Sequence, residues 1–118
     1  MTIPADDVIL SDNAQAALES LESDHSPTSP GSASVAKRAR RYRAVLLLDC
    51  LHGEVVRKSR IPRYFRETYG IENLYVEDLP DYWRMLYSIV KNSGRRIVVI
   101  LEIVDHKAYD KWFVFRGM

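Results

Sequence analysis

The sequence predicts an α+β domain in which a short N-terminal strand and an αα-hairpin pack on an antiparallel β-sheet, closed by a short C-terminal helix. Three observations carry this. Apolar residues recur at three- and four-residue spacing in two stretches of the first half. They alternate with polar residues, or run continuously, in three stretches of the second half. Turn and breaker residues separate these stretches.

Taken in order, Asp7 to Leu10 has a branched apolar centre and reads as a strand. Ser11 is an N-cap residue type, with Asp12 in the first turn behind it. Ala14, Ala17, Leu18 and Leu21 then give an amphipathic helix that ends by about Asp24. Residues 25–34 hold Pro27, Pro30, Gly31 and four serines without an apolar pattern, and are expected to form a flexible loop. A second helix is expected over 34–51, on Val35, Ala39, Tyr42, Leu46 and Cys50. Its first half is basic and its second half apolar, with Gly53 beyond its end.

Residues 55–60 are basic and polar. Pro62 then opens a short helix over 63–69 that Gly70 closes. Strands follow at 72–79, 83–91 and 96–104, the last two joined by the hairpin signal Asn92-Ser93-Gly94. The last strand is apolar on both faces apart from Glu102, so it belongs inside the sheet, with helices covering one side. His106 to Phe113 reads as the terminal helix, with Tyr109, Trp112 and Phe113 turned inward. The length of 118 residues fits a single domain, 1–118.

The formal net charge of +1 conceals a strong segregation. Residues 1–34 carry six acids and no Lys or Arg; residues 35–66 carry ten basic residues against Asp49 and Glu54. Such a basic block suits a phosphate backbone. Alternatively it solvates a helix face or meets an acidic protein. The strongest apolar runs, 44–48 and 97–101, fall far short of the roughly 20 residues a bilayer span needs. Asp6 and Asp7 stand where a signal peptide would be positive, so the cytoplasm is expected. Cys50 is the single cysteine and is expected to be buried and reduced. His25 and His52 lack metal-ligand spacing with any other candidate, so no metal is assigned, and no cofactor is implied.

The string from Asn73 to Tyr87, Asn-Leu-Tyr-Val-Glu-Asp-Leu-Pro-Asp-Tyr-Trp-Arg-Met-Leu-Tyr, is followed by a hairpin, an apolar strand and Asp105-His106-Lys107-Ala108-Tyr109. It resembles the RelE/ParE toxin superfamily, whose members place an arginine, two apolar residues and a tyrosine on the third strand. The resemblance implies a RelE-like fold and a toxin of a type II toxin–antitoxin system. Such a toxin is an endoribonuclease that enters the ribosome, cleaves mRNA and inhibits translation, and a cognate antitoxin protein neutralises it. ParE-like members inhibit DNA gyrase instead, so a non-catalytic binding protein of that kind is the alternative.

Within this resemblance Arg84 and His106 are the catalytic candidates, with Tyr109 assisting. Arg84 offers a planar, permanently charged fork for a phosphate, and His106 an imidazole able to exchange a proton near neutral pH. Tyr109 would stabilise charge or stack on a base. Lys37, Arg38, Arg40, Arg41, Arg57, Lys58, Arg60, Arg63, Arg66, Lys107 and Lys111 are the RNA-binding candidates. Ribosome-dependent members carry lysines on the second strand, where this chain reads Val76-Glu77-Asp78. The base is therefore open, with Glu77, Asp78 and Glu102 as candidates. Structural roles stand beside these: Arg84 pairing with one of the same carboxylates, His106 turning the chain beside Asp105, and Tyr87 in the core.

Overall fold

The computed structural model describes residues 1–24 and 31–113. Strand β1 (Asp7–Leu10) leads into helix α1 (Asp12–Ser23), whose first turn is capped by the Ser11 hydroxyl accepting from the Ala14 N–H at 3.0 Å. Helix α2 (Ser32–Leu48) returns along α1 and completes the expected αα-hairpin. It starts two residues before the sequence reading and stops three earlier, so Ser32 to Ser34 are helical rather than loop. The expectation of a flexible loop at 25–30 lies outside the described residues.

A two-residue strand β2 (Glu54–Val55) and a 3-10 turn (Lys58–Arg60) precede helix α3 (Arg63–Tyr69). Gly70 caps α3 in the left-handed region at φ 64°, as its position predicts. Then follow β3 (Tyr75–Asp78), β4 (Arg84–Asn92), β5 (Arg95–Val104) and helix α4 (His106–Phe113). Strand β2 was not expected, because two exposed residues carry no alternation to read.

The sheet order is β1-β5-β4-β3-β2. Strands β3 to β5 form the predicted antiparallel meander and β2 extends it, whereas β1 runs parallel to β5, so the five-stranded sheet is mixed. A parallel edge follows from the helical hairpin, which crosses over between β1 and the rest of the sheet.

Successive side chains of β4 enter different cores. Met85 and Tyr87 pack with Leu18, Val35, Ala39 and Leu46 under the hairpin, while Leu86 packs with Phe65, Leu74 and Leu101 under α3 and α4. Both faces are therefore covered, which corrects the expectation of helices on one side only. The continuous apolar run of β5 requires this, since an open second face would leave Val99 and Leu101 in water.

Opposite Leu86 and Tyr87 the register slips: Leu86 faces Glu102 and Tyr87 faces Ile100, so Leu101 is an extra residue. This β-bulge changes which face each later residue of β5 takes. Val98 and Ile100 before it, and Ile103 after it, lie in the hairpin core, leaving Glu102 and Val104 to the α3 face.

The chain between α2 and β2 is tied down by Tyr87. Its hydroxyl donates to the Cys50 carbonyl at 2.8 Å and accepts from the Gly53 N–H at 3.0 Å. A Cβ at Gly53 would stand 2.8 Å from that hydroxyl and 2.9 Å from the Val76 carbonyl oxygen. We therefore expect Gly53→Ala to cost about 1–3 kcal/mol by overpacking. Urea unfolding checks this, and an unchanged midpoint would contradict the close approach.

Candidate functional site

Arg84 opens β4 and pairs across the sheet with Asp78, the last residue of β3. Its Nε lies 3.1 Å from Asp78 Oδ1, and Nη1 donates to the Trp83 carbonyl at 3.0 Å. The face of its guanidinium meets α4, with the central carbon 5.4 Å from the centre of the Tyr109 ring. Helix α4 is held for this contact by Asp105, whose carboxylate accepts from the Ala108 N–H at 3.0 Å. Burial pushes the Tyr109 hydroxyl above the usual phenol range, with Glu54, Asp78 and Asp110 adding to the shift and Arg84 opposing it.

Beside this contact a cleft of about 800 Å³ opens between β2 and α4. Glu54, Arg57 and Arg60 supply its charged rim, and Val76, Tyr109 and Phe113 its apolar wall. The structure thus brings Arg84, Tyr109, Arg57 and Arg60 into one neighbourhood. Such an arrangement can hold a phosphate by charge. His106 begins α4, and its exposed ring lies 6.3 Å from that of Tyr82 rather than against Arg84. Lys107 and Lys111 are exposed on the same helix.

The sequence-defined basic block does not form one surface. Lys37, Arg38, Arg40 and Arg41 stand exposed on α2, over the hairpin face. Arg57, Lys58, Arg60, Arg63 and Arg66 belong to the β2–α3 segment, whose Ile61 and Phe65 pack on the opposite face. Several basic residues have local partners: Arg40 bonds Glu22, Arg63 pairs with Glu67, and Arg66 donates to the Lys58 carbonyl.

The three carboxylates left open by the sequence have separate fates. Asp78 is exposed and bound to Arg84. Glu102 is buried and accepts from the Tyr64 hydroxyl at 2.7 Å, the Asn13 amide at 3.0 Å and the Tyr69 hydroxyl. Those bonds tie α1 and α3 to the bulge. Burial and the bond to Glu102 together push the Tyr69 hydroxyl far above its ordinary range. Glu77 shares the hairpin face with Tyr75 and Tyr87, turned away from Arg84.

Glu77 meets His52, a residue to which sequence reasoning gave no role. The Nδ1 of His52 lies 2.7 Å from Glu77 Oε2, with the imidazole half exposed and the carboxylate buried. The Tyr42 ring stands 6.1 Å from the imidazole, and its hydroxyl donates to the Asp78 carbonyl at 2.9 Å. The two partners are 25 residues apart, so no local spacing pointed to them. Recognising 54–55 as an edge strand would have done so, by setting His52 across from the end of β3. Glu54 was missed for the same reason. No family model, curated protein or solved structure matches the chain.

Burial raises the Glu77 carboxyl above its ordinary range and outweighs the opposing bond from His52. A carboxyl that holds its proton more tightly when folded stabilises most at acid pH, and that contribution falls as pH rises from the unfolded toward the folded pKa. Unfolding of the wild type and Glu77→Gln should therefore show the wild type losing stability relative to the variant over that rise. The opposite slope would mean that the imidazole, not burial, governs this carboxyl.

Proposed function

We propose that this protein is a RelE/ParE-type toxin, an endoribonuclease that cuts mRNA on the ribosome with the cleft between β2 and α4 as its RNA site. The observation that carries the reading is the contact of the Arg84 guanidinium with the Tyr109 ring beside Arg57 and Arg60. These residues come from three separate parts of the chain, β4, α4 and the β2–α3 segment, and two of them belong to the segments that resemble the superfamily. Support also comes from the chain order, in which a helical hairpin separates the first strand from an antiparallel meander.

In this reading Arg84 grips the phosphodiester, competing with Asp78 for the same guanidinium fork. It then neutralises the phosphoryl oxygens as charge develops during attack by the adjacent 2′-hydroxyl. Tyr109, stacked on Phe113 and set against the Arg84 guanidinium, holds that guanidinium in place, and Arg57 and Arg60 carry the strand into the cleft. His106 delivers a proton to the departing 5′-oxygen. The exposed cations of α2 suit a different task, meeting an acidic antitoxin on the hairpin face. Among the described residues no helix is long and apolar enough to cross a membrane, and cytoplasmic action belongs to the proposal.

Inducible expression with mapping of message ends tests this. Wild type should generate new ends within translated messages, and Arg84→Ala should reduce them by a factor on the order of 10² or more, as for loss of a donor to developing charge. Growth arrest without new ends, accompanied by inhibited DNA supercoiling, would move the assignment to the gyrase-directed alternative.

A further inference from the structure

With Arg84 on the phosphate and His106 at the departing oxygen, the bases of the bound strand still lack a surface. Unpaired bases are held chiefly by stacking on aromatic rings. Tyr109 is engaged already: Phe113 stacks on it with ring centres 4.6 Å apart, and the Arg84 guanidinium stands against it. Tyr64 stacks on Trp112 and donates its hydroxyl to Glu102. Tyr82 differs from both, being 73% exposed, the most exposed aromatic residue among those described. We propose that Tyr82 is the base-stacking residue of the site and takes the base of the nucleotide that carries the departing 5′-oxygen. The inference rests on the RNA-cleaving reading and deepens it.

The position of the ring assigns the nucleotide. Tyr82 ends the single 3-10 turn Pro80–Tyr82 between β3 and β4, two residues before Arg84. Across the sheet Arg84 faces Val104, so two residues further out Tyr82 stands opposite His106. The two rings meet there edge-on, with centres 6.3 Å apart and planes inclined at 69°. Tyr82, Arg84 and His106 therefore share one end of the sheet. His106 serves the 5′-oxygen, so a base on the ring beside it belongs to the departing nucleotide and not to the one that supplies the 2′-hydroxyl. Trp83, between Tyr82 and Arg84, is extended, and two residues of extended chain span about 7 Å. That matches in scale the single sugar separating a base from its own phosphate.

The turn holds the ring outward against the preference of its backbone. Asp81 and Tyr82 both stand in the left-handed region, at φ 58° and 64°. A bulky residue seldom adopts it, and such strain persists where the surroundings enforce it, most often at functional sites. Here the Trp83 N–H donates to the Pro80 carbonyl at 3.3 Å and the Leu79 N–H to the Trp83 carbonyl at 2.9 Å. Trp83 packs against the hairpin core, and the Asp81 carboxylate fills the space that a Cβ at Gly31 would need at the start of α2. Asn or Gly would suit this backbone better than Tyr. The turn by itself therefore gives no reason for an aromatic side chain at position 82, whereas a stacked base does.

Single-turnover cleavage of ribosome-bound message tests this with wild type, Tyr82→Asn and Tyr82→Phe. Each is given a message with a normal or an abasic nucleotide immediately 3′ of the cut. Tyr82→Asn should unfold in urea no earlier than the wild type, because Asn tolerates the left-handed backbone. It should nevertheless raise the half-saturating protein concentration by about 10- to 100-fold, the range for loss of one stacked base, with Tyr82→Phe close to the wild type. The abasic nucleotide should weaken the wild type by a similar factor and leave Tyr82→Asn little changed, a coupling that a purely structural role does not give. A Tyr82→Asn protein that saturates as the wild type does, or that suffers the full abasic penalty, overturns this assignment alone. A wild type that cuts no message overturns the RNA-cleaving reading beneath it.

Discussion

The pairing of β4 with β5 is the constraint on which the remainder of the molecule depends. Their central residues, 85–87 and 98–101, fill both faces of the sheet, so each of these is committed to one of two cores. Met85 and Tyr87 fix the helical hairpin above the sheet, and Leu86, between them in sequence, fixes α3 below it. A slip of one residue would exchange the two sets of side chains. Phe65 and Leu86 are completely buried in the lower core, where truncating a side chain of this size typically costs about 3–5 kcal/mol for Phe. The lower core therefore helps hold the β2–α3 segment that carries Arg57 and Arg60.

The bulge at Leu101 adds a second consequence. It turns Glu102 toward α3, where Tyr64 and Tyr69 anchor the helix to the carboxylate. The Tyr64 ring stacks on Trp112 of α4 with centroids 5.3 Å apart, and Phe65 meets the same indole edge-on. Helix α4 is thus located through α3 as well as through Asp105. The contact of Tyr109 with Arg84 depends on this chain of packing, which begins at a buried carboxylate remote from the proposed chemistry.

Much of the fold was legible because its cues are local. Ser11 caps α1, Gly70 ends α3, and Ser93 and Gly94, both at positive φ, turn β4 into β5 where the sequence marks them. Tyr87 and Cys50 are buried as expected. Arg84 does pair with one of the three carboxylates considered for it, and the sheet register selects Asp78. The second layer of helices was less legible. Residues 63–69 were recognised as a helix, but its placement depends on Phe65 meeting Leu74 and Leu101, contacts without a local period.

The candidate site divides along the same line. Arg84 and Tyr109 stood out in the local sequence, whereas His52 and Glu77 are joined only by the edge pairing of a two-residue strand. Charge counted along the chain was a poor guide to surface, because α2 and the β2–α3 segment carry their cations to opposite faces of the sheet. The central claim, that RNA lies against the Arg84 face and end of the sheet, is tested most directly by amide chemical-shift mapping with an all-2′-deoxy analogue of a short message. The account predicts perturbations clustered in 52–60, at Asp78 and Arg84, and along 106–113, with α2 unaffected. Shifts centred on Lys37 to Arg41, with the cleft unchanged, would contradict it.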